Sequence, residues 1–297
     1  MEIKTNQIPA LEFRNVCLSF DEKQVLSDIS FRLERGEMIF ITGESGSGKS
    51  VMLRLAIALE HPDSGQVLIE GQDVGQFNEV KLLKLRGGRM GMVFQEDSLF
   101  TGLSVFENVA FRLEEHGIGA TEIEKQVAEV LKFVGLDEKA EKLPAELSGG
   151  MRRRLEIARA LVGWPSIMLF DEPASGLDPL TSHKVLDLII RARDVYGISS
   201  IYVTKKLDEI PYLATHYARQ TERGTTIEAA ADGCTPRTRA MVLEKGRIVF
   251  AGSVSEFEAS TLPAVVRLTH AENGTVISHF ETTDPWDKSR RPRERIL

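Results

Sequence analysis

Two short runs without a polar residue organise the chain, Met38-Ile39-Phe40-Ile41 and Ile167-Met168-Leu169-Phe170. Such runs suit strands buried on both faces of a parallel sheet. Leu11 to Phe20 alternates apolar and polar positions in two stretches, and Val25 to Leu33 reads as a further strand. Shorter strands are predicted at Val67 to Ile69, Met92 to Phe94 and Ser200 to Thr204. Helical spacing covers Val51 to Leu59, Val105 to about Leu161, and Ser182 to Val195. Strands alternating with helices predict an α/β fold with a mostly parallel core sheet covered on both faces. Met241-Val242-Leu243 and Arg247 to Phe250 flank Glu244-Lys245-Gly246, the pattern of a hairpin. The polar stretch from Leu213 to Arg239 reads as a loop insertion, and no internal repeat is found.

Composition narrows the function. Among 297 residues, 37 Lys and Arg against 44 Asp and Glu leave a net charge of −7, a poor balance for coating nucleic acid. The 42% hydrophobic content excludes a disordered chain. The two cysteines, Cys17 and Cys234, form neither a disulfide framework nor a zinc site, which fits a reducing compartment. No apolar run approaches about 20 residues, so none is long enough to span a bilayer as a helix. Met1 to Pro9 lacks the pattern of a signal peptide. The expected location is the cytosol, with any membrane role exercised through a partner.

The polar segments that end the two apolar runs carry the candidate chemistry. Gly43-Glu44-Ser45-Gly46-Ser47-Gly48-Lys49-Ser50 fits the phosphate-loop pattern G-x-x-x-x-G-K-S, with a strand before it and a helix after. Its glycines let successive N–H groups point at phosphate oxygens, and the helix adds its positive end. Lys49 can reach the β- and γ-phosphates, and the Ser50 hydroxyl can ligate Mg²⁺. Asp171 and Glu172 end the second run; the first can hold Mg²⁺ through water, the second can polarise an attacking water. Gln95, just past a third strand, can touch the Mg²⁺ ion or that water.

Leu147-Ser148-Gly149-Gly150-Met151-Arg152-Arg153-Arg154, followed by Ile157-Ala158-Arg159-Ala160-Leu161, resembles the signature motif of ABC-type ATPases. It stands in that family's order between Gln95 and Asp171-Glu172, and Ser175-Gly176-Leu177-Asp178 resembles the family's D-loop. The resemblance covers about Leu11 to Phe257. It implies an ATPase domain over residues 8–257, with an antiparallel β subdomain and an inserted helical subdomain near 97–160. It further implies that two copies sandwich ATP head to tail, with Ser148, Gly149, Gly150 and Asp178 of one copy closing on the phosphate loop of the other. Phe20 matches the position where the family stacks an aromatic ring, more commonly Tyr, on adenine. Met151, in place of the usual Gln, and the segment Met90 to Phe111 look like the Mce/Mla-type ATPases of bacterial phospholipid transport.

That resemblance implies a translocase subunit on the cytoplasmic face of the inner membrane. Its expected partners are a second copy, a multi-spanning permease docked near Leu99, Phe100 and Phe106, and substrate-binding or Mce-type proteins; nucleic acid is not expected. One departure stands out. The family expects His after the strand at Val203-Thr204, and here Lys205 stands in its place. A lysine can reach the γ-phosphate as a point charge, but it is not a neutral donor and acceptor. Lys205 therefore keeps open the reading of a regulatory ATPase with weak turnover, and a soluble non-transport ABC protein is the separate alternative. The extension 258–297 contains the apolar run Leu262 to Leu268, then Val276 to Phe280 and Trp286. It is expected either to pack on a second copy or to fold back on its own domain. Arg290, Arg291, Arg293 and Arg295 read as a solvated charge run.

Overall fold

A computed structural model describes residues 8–96, 98–222, 224–230 and 237–272. Cys234 and the segments around Phe280, Trp286 and Arg290 lie outside the described residues.

The first half contains β1 (Leu11–Phe20), β2 (Lys23–Leu33), β3 (Met38–Thr42), α1 (Lys49–Ala56), β4 (Ser64–Ile69), β5 (Gln72–Asp73), α2 (Glu79–Arg89) and β6 (Met90–Val93). A helical layer follows, α3 (Val105–Glu115), α4 (Ala120–Val134) and α5 (Gly149–Leu161). Then come β7 (Ile167–Asp171), α6 (Pro179–Tyr196), β8 (Ser199–Val203), α7 (Glu209–Thr215), β9 (His216–Thr221) and β10 (Gly224–Ala229). The last described elements are β11 (Thr238–Glu244), β12 (Arg247–Gly252), α8 (Val254–Glu258) and α9 (Pro263–Glu272).

Six strands form the core sheet in the order β12-β11-β3-β8-β7-β6. Five run parallel, and β12 is an antiparallel edge paired to β11. The apolar runs serve both faces, as period two requires. Met38 and Phe40 of β3 face the core shared with α3 to α6, while Ile39 and Ile41 face the core shared with α1, β1 and β2. Met168 and Phe170 divide from Ile167 and Leu169 of β7 in the same way. A separate antiparallel sheet, β2-β1-β4-β5, covers the second face.

Local chemistry sets the helix ends. Ser104 and Glu107 form a reciprocal cap on α3. Ser148 caps α5, accepting from the Met151 N–H at 3.3 Å. Asp178 caps α6 ahead of Pro179, accepting from the Thr181 N–H at 3.0 Å.

One expectation is corrected, one helix is added, and one of two open alternatives is met. The stretch 213–240 is no loop insertion over its described part. It ends α7, folds back as the hairpin β9-β10, and begins β11. Thr and Ala at half-exposed positions satisfy a two-stranded ribbon without strong apolar alternation, which is why the pattern was silent. Helix α2 was not predicted; Leu82 is its one buried residue, so it has almost no apolar face to read. The run Leu262 to Leu268 forms most of α9 and turns inward on its own chain. Val265 is buried in the core, Ala264 and Leu268 pack beside it, and Arg267 pairs with Glu244.

Candidate nucleotide site

The carboxyl ends of β3, β6, β7 and β8 lie along one edge of the sheet, where parallel α/β sheets hold their ligands. A cavity of about 490 Å³ opens there. It is lined by Phe20, Ser45, Gly46, Gly48, Lys49, Ser50, Gln95, Glu172 and Lys205, together with Val25, Val51 and Arg54. These four strand ends, with the end of β1 that carries Phe20, thus bring together residues that span 185 positions of sequence, from Phe20 to Lys205.

Backbone geometry explains the loop's composition. Gly43 has φ +147°, and a Cβ there would stand 2.1 Å from the Leu243 carbonyl oxygen. Gly48 has φ +104° at the entrance to α1, with the Leu26 side chain 2.7 Å from where a Cβ would be. Neither position admits another residue without moving its neighbours. Lys49 is buried and its ammonium donates to the carbonyl oxygens of Gly43 and Glu44, each at 2.7 Å, and to Ser47 Oγ at 3.4 Å. Burial pushes the Lys49 ammonium below its ordinary range, and the positive Lys205 adds to the effect.

Asp171 ends β7 almost fully buried. Burial raises its carboxyl above the ordinary value, against the opposing hydrogen bond from Ser50. Its Oδ1 atom is buried without a hydrogen-bond partner. An orphaned carboxylate oxygen on a residue bonded to Ser50, whose side chain lines the cavity with Gln95, adds to a set of hard oxygen donors that suits Mg²⁺. No cluster of three His, Cys, Asp or Glu side chains competes for a metal among the described residues. The residues present therefore fit Mg²⁺, and Ser50, Gln95 and Asp171 are the ones that would hold it.

Glu172 has φ +47°, an unusual backbone for a non-glycine residue, and its N–H donates to the Val203 carbonyl at 2.9 Å. Its carboxylate meets Lys205, Nζ to Oε1 at 2.7 Å. Of the two adjacent lysines, only Lys205 lines the cavity. Lys206 donates to the Ala174 carbonyl at 3.1 Å and lies 3.8 Å from Glu209. Buried Glu209 accepts from Tyr202 and Thr204 hydroxyls, at 2.8 and 2.7 Å, and so anchors the turn that aims Lys205. His216 bonds to the Tyr212 carbonyl and stacks on the Tyr212 ring, and it does not line the cavity.

Phe20 is 40% exposed and lines the cavity, so it is not a core phenylalanine. Ser148, Gly149, Gly150 and Asp178 do not line it. Of the residues expected to receive a permease, Leu99 is 9% exposed and Phe106 packs partly buried on the helical core. Phe100 is exposed, with the Phe111 ring 4.7 Å away and also exposed. The exposed apolar pair is Phe100 and Phe111, not the predicted trio. The reading from sequence also passed over Arg153 and Glu156, a buried Arg-Glu pair within the apolar stripe of α5. Their opposite charges at i and i+3 on a buried face were the available signal.

The fold and this cavity define a phosphate-loop nucleotide-binding protein. Residues 26–175 match the ABC transporter family model. A methionine import ATP-binding protein of Leifsonia xyli subsp. xyli is 40% identical over 240 residues, covering 78% of this chain and 70% of that protein. One of Staphylococcus aureus (strain N315) is 36% identical over 250 residues, covering 83% of this chain and 66% of its own length. Among solved structures, a dimeric ATP-binding cassette in a post-hydrolysis state with ADP and Pi aligns with TM-score 0.67 and 27% identity, over 82% of this chain and 98% of that one. A component of an ABC transporter complex from Clostridium perfringens aligns with TM-score 0.71 and 26% identity, over 89% and 96%. The chain belongs to the ATP-binding family of ABC transporters, and it is an ATPase. The expected Mce/Mla lipid-transport type is not what these relatives are; their names say methionine import. Among the described residues, no helix is long and apolar enough to cross a membrane.

Proposed function

We propose that this chain is the ATP-hydrolysing subunit of a membrane importer and works as a head-to-tail pair of identical copies beside a permease. One observation carries the reading. The phosphate loop, Gln95 and Glu172 share one cavity, while Ser148, Gly149, Gly150 and Asp178 of the same chain stand outside it. The N-terminus of α5 is a second anion-binding end, free to close on another copy's nucleotide.

In this reading Lys49 and the loop N–H groups bind the β- and γ-phosphates, and Phe20 offers its ring to the base. Ser50, Gln95 and Asp171 would hold Mg²⁺, which would supply positive charge against the phosphate oxygens. Glu172 orients a water and takes its proton as the water oxygen bonds to the γ-phosphorus. The bond from that phosphorus to the bridging oxygen breaks, and ADP leaves with the electron pair. Lys205 stabilises the transferred phosphoryl group once it lets go of Glu172.

The relatives' names support an amino-acid cargo, methionine, over lipid. Phosphate release by the complex with its permease, with and without methionine on the receiving side, tests this. Stimulation by phospholipid and not by methionine would reverse it. A second reading, a regulatory ATPase with weak turnover, is favoured by the Lys205–Glu172 pair. Steady-state phosphate release by the isolated chain separates the two. Lys49→Ala, with the loop's cation gone, is expected to lose nucleotide binding under the same conditions.

A further inference from the structure

Arg153 sits one turn into α5 and is 7% exposed. Its guanidinium donates from Nη1 to Glu156 Oε2 at 2.6 Å and to the Phe94 carbonyl at 2.7 Å. Nη2 donates to the Gln95 carbonyl at 3.2 Å and, at 3.4 Å, to the Glu172 carbonyl. Glu156 uses its other oxygen, Oε1, to accept from the Ser98 N–H at 3.2 Å. Arg159, two turns further along α5, donates to the Ser98 carbonyl and hydroxyl, both at 2.8 Å, and lies over the Phe100 ring.

One buried ion pair therefore joins three segments. These are the signature helix, the strand end that carries Gln95, and the strand end that carries Glu172. Glu172 needs such support, because its left-handed backbone is sparsely populated and persists only where its surroundings hold it. Arg153 provides a fixed fork of donors to backbone oxygens, which a lysine cannot reproduce.

We propose that Arg153, oriented by Glu156, is a positioning residue for the hydrolytic step, holding Gln95 and Glu172 in register with the segment from Ser98 to Phe100. The proposal rests on Glu172 and Gln95 acting as described above. It predicts that the pair affects turnover and leaves nucleotide affinity alone, since neither side chain lines the cavity.

The test uses the full chain in three forms, Arg153→Lys, the apolar pair Arg153→Met with Glu156→Leu, and Glu172→Gln. The apolar pair removes both buried charges together, so the fold need not carry an unpaired one. Expected are nucleotide affinity within about twofold of wild type and kcat lowered about tenfold or more in the apolar pair, with a smaller loss in Arg153→Lys. A kcat at the wild-type level in either foldable variant, or a loss matched by an equal loss of nucleotide affinity, overturns the proposal while Glu172→Gln is inactive. Wild-type turnover in Glu172→Gln would instead strike down the assignment of the base, and the proposal with it.

Discussion

Lys205 and Glu172 form an ion pair at 2.7 Å across the mouth of the phosphate-loop cavity. The lysine side chain is 43% exposed and the glutamate 10% exposed. Two roles compete for the same ammonium. Paired with Glu172, it occupies the carboxylate expected to accept a proton from water. Drawn to a γ-phosphate, it releases that carboxylate and adds a positive charge to the phosphoryl group. A neutral histidine at this place could do neither through a full charge.

Glu172→Gln is expected to keep ATP binding and to lose hydrolysis by about 10²-fold or more, because an amide cannot take the proton. Sizing in the presence of ATP should then show an accumulated closed dimer. Hydrolysis at the wild-type rate would show that another group is the base.

Lys205→Ala is expected to lower steady-state phosphate release by about tenfold, with nucleotide affinity little changed. Lys205→His tells the two roles of the lysine apart. Turnover above wild type in that variant identifies the ion pair as a brake, and turnover below it identifies the lysine charge as part of the reaction.

Asp171 links stability to pH. Its folded carboxyl titrates above the ordinary value because it is buried, so the protonated form favours the fold. That contribution is complete below the unfolded value and is lost as pH rises through the raised folded one. Asp171→Asn has no such loss. Without nucleotide, the melting temperature of Asp171→Asn minus that of wild type should grow as pH rises from the ordinary carboxylate value through the raised folded one. Adding Mg²⁺ and ATP should reverse the order, stabilising wild type more. A constant difference across the range would mean that burial of Asp171 costs the fold nothing.

Phe100 and Phe111 form the exposed apolar pair beyond Gln95. Phe100→Asp or Phe111→Asp should weaken permease association by about 2 kcal/mol or more, the loss expected of a buried aromatic anchor. ATP binding should persist. Permease retained at wild-type levels in both variants would place the contact elsewhere.

Val265 buries its side chain in the core through α9. Val265→Ala should cost about 1–2 kcal/mol of unfolding free energy, read from denaturant midpoints, and leave the ATP-dependent dimer population unchanged. A smaller dimer population at unchanged stability would instead restore the extension as a contact between copies.

Much of this protein was written in local pattern. Apolar runs of four residues are too short for helices and too continuous for half-exposed strands, so β3 and β7 were readable as buried parallel strands. Parallel strands then oblige their carboxyl ends to share an edge, which by itself brings Lys49, Asp171 and Glu172 to one place. Glycines at Gly43 and Gly48 marked backbone that other residues cannot adopt. Three features needed the folded chain. Whether Lys205 or Lys206 enters the cavity depends on how Thr204 and Glu209 turn the backbone after β8, a contact over five residues that no period reports. The inward packing of α9 depends on β11 offering a partner, since an apolar run fits a core and a surface contact equally well. The bonds from Arg153 to Phe94, Gln95 and Glu172 span 59, 58 and 19 positions of sequence. A charge in an apolar stripe announces that a partner must exist, because burying it alone is too costly. Only the tertiary structure says which carbonyls it finds.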